Sequence, residues 1–405
     1  MPTSLAEAFT RLAGLVLTVL PLLIWPPDSA VAQAPERLLA YDYMVAGDQN
    51  RTRVLLNFDR EPEVDWSLLR APHRLVLDLP ETDFGIEEEE ASPRGLVSRV
   101  RYGRMSPGRS RMIFTMPGPF ALEEIAVLKN ETSPGYRLII DLTSSSETAF
   151  EAALRERVAR PPESGDQQQT AAPQPKDGRF TVALDPGHGG IDGGARGVNG
   201  TFEKAITLTF AEELKKKLEE TGKYNVVLTR SEDVFLALDE RVRIARANEA
   251  DLLVSIHADA IRMRDFRGAT VYTLSERASD AEAAATAARE NLSDEIAGLV
   301  VQDQKDDVAD ILVDLIRRET HAFSIHFART LIGELGDTVH LVGNPLRSAG
   351  FIVLRAPDVP SVLLELGYLS NPQDERQMQD AVWRAKAAAA ITEAIAAFAA
   401  AKAGG

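Results

Sequence analysis

The 405-residue chain contains no cysteine. That excludes a disulfide scaffold, a thiol nucleophile and any thiolate-held zinc or iron–sulfur centre, so a metal here needs histidine and carboxylate ligands. Positive charge is in deficit: 45 Lys and Arg face 61 Asp and Glu, a net charge of −16. No nucleic acid is expected as main partner, because phosphate binding needs a basic surface. Aromatic residues make up only 6%, and residues 36–143 offer no aromatic-rich platform for sugars. Beyond the N-terminus no long apolar run occurs, so no retained membrane span is expected. What remains is ordinary globular composition, 44% hydrophobic and 26% charged, with length for about two to three domains.

The first residues read as a targeting segment. Arg11 precedes an apolar run from Leu12 to Leu20 that continues to Trp25, followed by Pro26-Pro27 and the small-residue site Ala30-Val31-Ala32. Charge, short apolar core and A-x-A site in that order define a signal peptide over 1–32. The run falls short of the ~20 residues a spanning helix needs; a retained anchor is the alternative. Export places the mature protein in the periplasm.

Residues 36–143 read as short β-branched strands bounded by turns, a small all-β domain. Two segments resemble each other, Arg74-Leu75-Val76-Leu77-Asp78-Leu79 and Arg137-Leu138-Ile139-Ile140-Asp141-Leu142. Residues 144–178 open with a helical stretch, Glu147 to Arg160, and end in Pro- and Gln-rich sequence, which reads as a linker. From 179 to 402 strands alternate with helices, which predicts an α/β catalytic domain with a mostly parallel sheet flanked by helices. A helical insert over 276–335 interrupts the rhythm. Residues 276–319 hold twelve acidic and five basic residues, as a solvated helix pair would.

The chemistry-bearing residues sit at strand ends. Leu184-Asp185-Pro186-Gly187-His188-Gly189-Gly190 stops a strand and turns tightly beside His188. Ser255-Ile256-His257-Ala258-Asp259 places His257 after an apolar strand, and Glu365 ends another. Glu203 opens a helix. Groups at the carboxyl ends of strands converge on one crevice in open α/β sheets. Two imidazoles and a carboxylate suit zinc, at roughly 2.0–2.2 Å, with a fourth position left to water. The metal lowers that water's pKa from about 15.7 to about 7, and a further carboxylate can pass its proton to the leaving amine. The set is His188, Glu203 and His257 as ligands of one zinc and Glu365 as base, with Asp185 and Asp259 behind them to orient the ligands. Spacing alone leaves Glu203 equally readable as a favourable charge at a helix N-terminus. His73, His321, His326 and His340 lack such a context and read as structural or surface residues.

These motifs resemble the zinc-dependent N-acetylmuramoyl-L-alanine amidases: L-D-P-G-H-G-G at 184–190, G-x-x-G-x-x-E-K at 197–204, S-I-H-A-D at 255–259 and L-L-E-L-G-Y-L-S-N at 363–371. The resemblance implies that Glu203 is a ligand and that the substrate is peptidoglycan, cut between the lactyl group of N-acetylmuramic acid and L-alanine. The β block resembles the AMIN domain that targets such enzymes to wall or septum. The insert resembles that of the cell-division members, in which a helix covers the zinc; Ala288-Arg289-Glu290-Asn291-Leu292-Ser293-Asp294 then implies Glu290 as an inhibitory fourth ligand. The other reading of Glu290 is an ordinary solvated glutamate. The lid reading implies a LytM-domain activator on a later helix bearing Val308, Ile311, Leu312, Leu315 and Ile316, residues that could equally be packing positions. Two alternatives stand beside this reading: a zinc peptidase or deacetylase acting on wall material, and a wall-binding regulator without turnover.

Overall fold

The computed structural model describes residues 37–86, 91–158, 178–299 and 311–404. The signal peptide expected over 1–32, the Pro- and Gln-rich part of the linker and Val308 lie outside them, as do the side chains of Ile311, Leu312 and Leu315. Among the described residues, no helix is long and apolar enough to cross a membrane.

The first block is a two-sheet β sandwich. Its strands are β1 (Leu38–Gly47), β2 (Arg51–Phe58), β3 (Asp65–Leu69), β4 (His73–Pro80), β5 (Thr82–Phe84), β6 (Arg99–Ser106), β7 (Arg109–Met116), β8 (Phe120–Lys129) and β9 (Tyr136–Ser144). One sheet runs β5-β1-β2-β9-β8 and the other β3-β4-β7-β6. Alternation along each strand points one face inward: Leu75, Leu77, Met112 and Phe114 share a core with Leu56 and Ile140 of the facing sheet. The two similar R-L-x-x-D-L segments become β4 and β9, each an inner strand of its sheet. The helix α1 (Glu147–Val158) buries Phe150 in this same core. Residues 147–158, expected to open the linker, are therefore part of the β block.

The second block is a six-stranded sheet ordered β11-β10-β12-β15-β13-β14. Its strands are β10 (Phe180–Pro186), β11 (Tyr224–Leu228), β12 (Leu252–His257), β13 (Ala269–Leu274), β14 (Leu341–Ala349) and β15 (Ser361–Glu365). Neighbours are parallel except β13 and β15, so the sheet is mostly parallel, as the alternating pattern predicts. Helices are α2 (Glu203–Glu220), α3 (Leu238–Ala247), α4 (Ala281–Glu290), α5 (Ser293–Ile296), α6 (Ile311–Gly336), α7 (Pro372–Gln379) and α8 (Ala381–Gly404). Both sheet faces are covered. Val182, Leu184, Leu252 and Val254 meet α2, α6 and α8 on one side, while Ala183 and Leu253 meet α3 on the other. Burial on two faces is why these strands read as unbroken apolar runs.

The helical insert divides. Helices α4 and α5 lie over the strand ends, but Phe327, Ala328, Leu331 and Leu335 of α6 are fully buried in the main core with α8. The expected boundary at 335 therefore runs too far. Truncating even one buried Phe costs about 3–5 kcal/mol, so the second half of α6 is structural. Its apolar residues recur at 323, 327, 331 and 335, the i,i+4 stripe of a core helix.

Candidate active site

Four strand or helix ends meet at one edge of the sheet. The chain leaves β10 at Pro186 and carries His188 at φ +60, an uncommon backbone for a side-chain-bearing residue. His257 ends β12 and faces Glu365 of β15 in the parallel register. Glu203 is the first residue of α2. A Cβ at Gly187 would stand 2.4 Å from the His257 ring, and one at Gly194 would stand 2.7 Å from Glu203 Oε2. Glycine at both positions lets the backbone close around the side chains.

His188 Nε2 lies 3.1 Å from Glu203 Oε2, and His257 Nδ1 lies 3.2 Å from Glu203 Oε1. One ligand atom from each of the three lies within 4.8 Å of the others, and so do atoms of His257, Glu290 and Glu365. Glu290 Oε2 is 3.3 Å from His188 Nε2 and 3.1 Å from His257 Nδ1. All five residues are buried. The space left between the imidazoles, Glu290 and Asn291 is about 10 Å³, enough for one water-sized particle and nothing larger.

The supports differ from those expected. Asp192 accepts from His188 Nδ1 at 2.8 Å, and Ser293 of α5 donates to the same carboxylate at 2.5 Å. Sequence reasoning misses Asp192; its position four residues after His188 in a glycine-rich turn is the available signal. Asp185 bonds neither imidazole. It takes Thr229 at 2.6 Å, Ser255 at 2.7 Å and Arg241 at 2.9 Å, tying three elements together beneath the site. Asp259 turns to α4 and pairs with Arg289 at 2.5 Å, while its backbone N–H donates to Glu365 Oε2 at 2.9 Å. Arg241 also donates to the carbonyls of Pro186 and His188 at 2.8 Å, which fixes the turn that presents His188. Arg241→Ala would leave Asp185 buried without its cationic partner. It is expected to cost about 3–5 kcal/mol of stability, read as a lower urea midpoint.

The electrostatics favour a cation. Burial disfavours the imidazolium of His188, but Glu203, Asp192 and Glu290 outweigh it and hold the ring well above its usual pKa. His257 is likewise opposed by burial yet pushed up to about 10 by Glu290 and Glu203. Burial would raise Glu203, but the two imidazoles keep it well below the ordinary carboxylate range. Burial and the neighbouring Asp259 push Glu365 well above that range. A divalent ion can take the place of the two ring protons in such a field. The donor set fits: His188 Nε2 and Glu365 Oε1 are buried polar atoms without a hydrogen-bond partner, and buried polar atoms seldom stay unpaired.

Comparison with known proteins gives the family. The N-acetylmuramoyl-L-alanine amidase family model matches residues 182–397, more than half the chain. AmiC of Escherichia coli is 31% identical over 368 residues, covering 86% of each chain. The chain belongs to the N-acetylmuramoyl-L-alanine amidase family. The AMIN domain model matches residues 43–134 of this amidase. AmiC of Neisseria meningitidis is 32% identical over 85% of this amidase and 86% of its own length. AmiA of Escherichia coli is 40% identical over 54% of the amidase and 75% of its own length.

Proposed function

We propose that this amidase cleaves the bond between N-acetylmuramic acid and L-alanine in peptidoglycan with one zinc held by His188, Glu203 and His257. The observation that supports this most is the convergence of these three buried donors within 4.8 Å, with Glu365 directly opposite His257 across the strand pair. A zinc ion there would polarise the scissile carbonyl and supply a nucleophile at neutral pH. Glu365 takes a proton at Oε1 and returns it to the leaving amine; burial and the neighbouring Asp259 hold its carboxyl above the usual carboxylate range. Asp192 holds the His188 ring in one tautomer and orientation. The site residues and the domain limits, 36–143 for the AMIN strands with α1 packed on their core and 179–402 for the catalytic block, belong to this reading.

Helices α4 and α5 act as a lid. Glu290 brings its carboxylate to both imidazoles, where it would fill the fourth position on the zinc in place of the nucleophilic water. Arg289 on Asp259 and Ser293 on Asp192 fasten the lid on either side. Opening falls to an activator with a LytM-type domain that binds α6 near its start, where Ile316 is 40% exposed. Moving the lid from 1:99 to 99:1 open requires about 5.5 kcal/mol of differential affinity. Exported to the periplasm, such a restrained amidase serves cell separation.

Metal analysis paired with product mass on purified sacculi tests the activity. An amidase frees intact stem peptides from the glycan. Cleavage within the peptide would mean a peptidase, release of acetate a deacetylase, and binding without release a regulator. Glu290→Ala is expected to raise basal release by roughly tenfold or more, since the closed state loses its tie to the imidazoles. Deletion of 281–310 should do the same, while a deletion through 335 would remove core. Unchanged activity in Glu290→Ala counts against the lid.

A further inference from the structure

The lid does not stop at the imidazoles. Residues 294–299, which form most of α5 and the turn after it, run onto the outer face of the β3-β4-β7-β6 sheet. Strand alternation builds that face: Val76 of β4 pairs with Ile113 of β7, while Leu75, Leu77, Met112 and Phe114 beside them point into the sandwich. Val76 and Ile113 are buried with Ile191, Phe235 and Ala297 of the catalytic block. A Cβ placed on Gly298 would lie 3.3 Å from Leu69 and Ile113 and 3.5 Å from Val76. Glycine at 298 leaves the space that these three side chains of the sheet would otherwise contest.

The polar contacts follow the same line. Arg74 donates to the carbonyl of Glu295, and Arg111 donates to that of Ala297 at 2.8 Å. Arg111 is itself held by Asp78 at 2.7 Å. Two guanidinium groups thus meet the C-terminal end of α5, the end that favours positive charge. The segment they meet carries Asp294 and Glu295, so charge is complementary as well. From there the lid runs back without interruption to Ser293 on Asp192 and to Glu290 on the imidazoles.

We infer that the outer face of β4 and β7 is a docking surface for lid residues 294–299, and that the AMIN domain thereby holds the lid shut. The second half of this inference rests on the inhibitory role of Glu290 proposed above. Linkage makes the coupling reciprocal: any ligand that takes this sheet face favours the open enzyme, and lid opening exposes the face.

The test uses the full-length, zinc-loaded protein. Arg74→Ala combined with Ile113→Ala removes one carbonyl contact and the apolar seat. Gly103→Val acts independently, because a Cβ at Gly103 on β6 would stand 2.4 Å from the Ile191 nitrogen and drive the sheet off the catalytic block. The readouts are hydrogen exchange at residues 291–299 and basal release of stem peptides from sacculi, with Glu290→Ala as comparator. Both sheet variants are expected to exchange these amides roughly tenfold faster and to raise basal release. Unchanged exchange in variants whose β domain remains folded overturns the docking surface. Faster exchange without a gain in release, while Glu290→Ala does gain, overturns control of the lid by the AMIN domain. Should Glu290→Ala gain nothing, the inhibitory reading of Glu290 fails, and faster exchange in the sheet variants still supports the docking surface.

Discussion

Glu365→Gln is expected to keep one zinc per chain and to lose roughly 10²–10⁴-fold in amidase turnover, the range that positioned proton transfer supplies. Glutamine preserves volume and keeps a carbonyl oxygen for the Asp259 N–H, which now donates to Oε2 at 2.9 Å. It cannot take up a proton at the position of Oε1, the buried atom without a partner. Fold and metal should therefore survive while proton transfer does not. Metal content by mass spectrometry and turnover on sacculi check the pair of outcomes. Because Glu365 also lies within ligand distance of His257 and Glu290, loss of zinc in this variant would make it a ligand and end its assignment as base.

The second large effect is on the metal itself. His188→Ala and His257→Ala each remove one of the three proposed donors and are expected to abolish stoichiometric zinc and, with it, activity. Asp192→Ala should be milder, weakening zinc by about 10–100-fold, as loss of a partner behind a ligand does. It leaves the ring of His188 in place but free to turn. The order to be measured in competition with a chelator is wild type, then Asp192→Ala, then the two histidine variants. Full zinc retention in either histidine variant would refute the ligand set.

Much of the architecture is legible in the sequence because its signals are local. Short β-branched runs bounded by turns over 36–143 and alternating strand and helix patterns after 179 suffice for a β domain followed by an α/β domain. His188, His257 and Glu365 stand out because each follows or ends an apolar strand, and such ends share one edge of a parallel sheet. The revisions concern extent. Residues 147–158 resemble the start of a linker because one buried Phe150 makes only a weak stripe. The second half of α6 resembles more of the insert when helix formers alone are weighed; the spacing of Phe327, Leu331 and Leu335 is what marks it as core.

By itself the sequence determined the succession of elements and the residue types that reach the strand ends, since periodicity and turn chemistry act over a few neighbouring residues. Tertiary structure alone decided which groups stand behind them. Asp192 rather than Asp185 meets His188, and Arg241 is committed to Asp185 and to the turn before His188. It also decided that Val76 and Ile113 are covered by Ala297, Ile191 and Phe235. Those outcomes depend on which face of a strand is buried and on pairs brought together from distant parts of the chain. Arg111 and Ala297, hydrogen-bonded across 186 residues of sequence, are such a pair, and over that separation no short-range pattern carries the information.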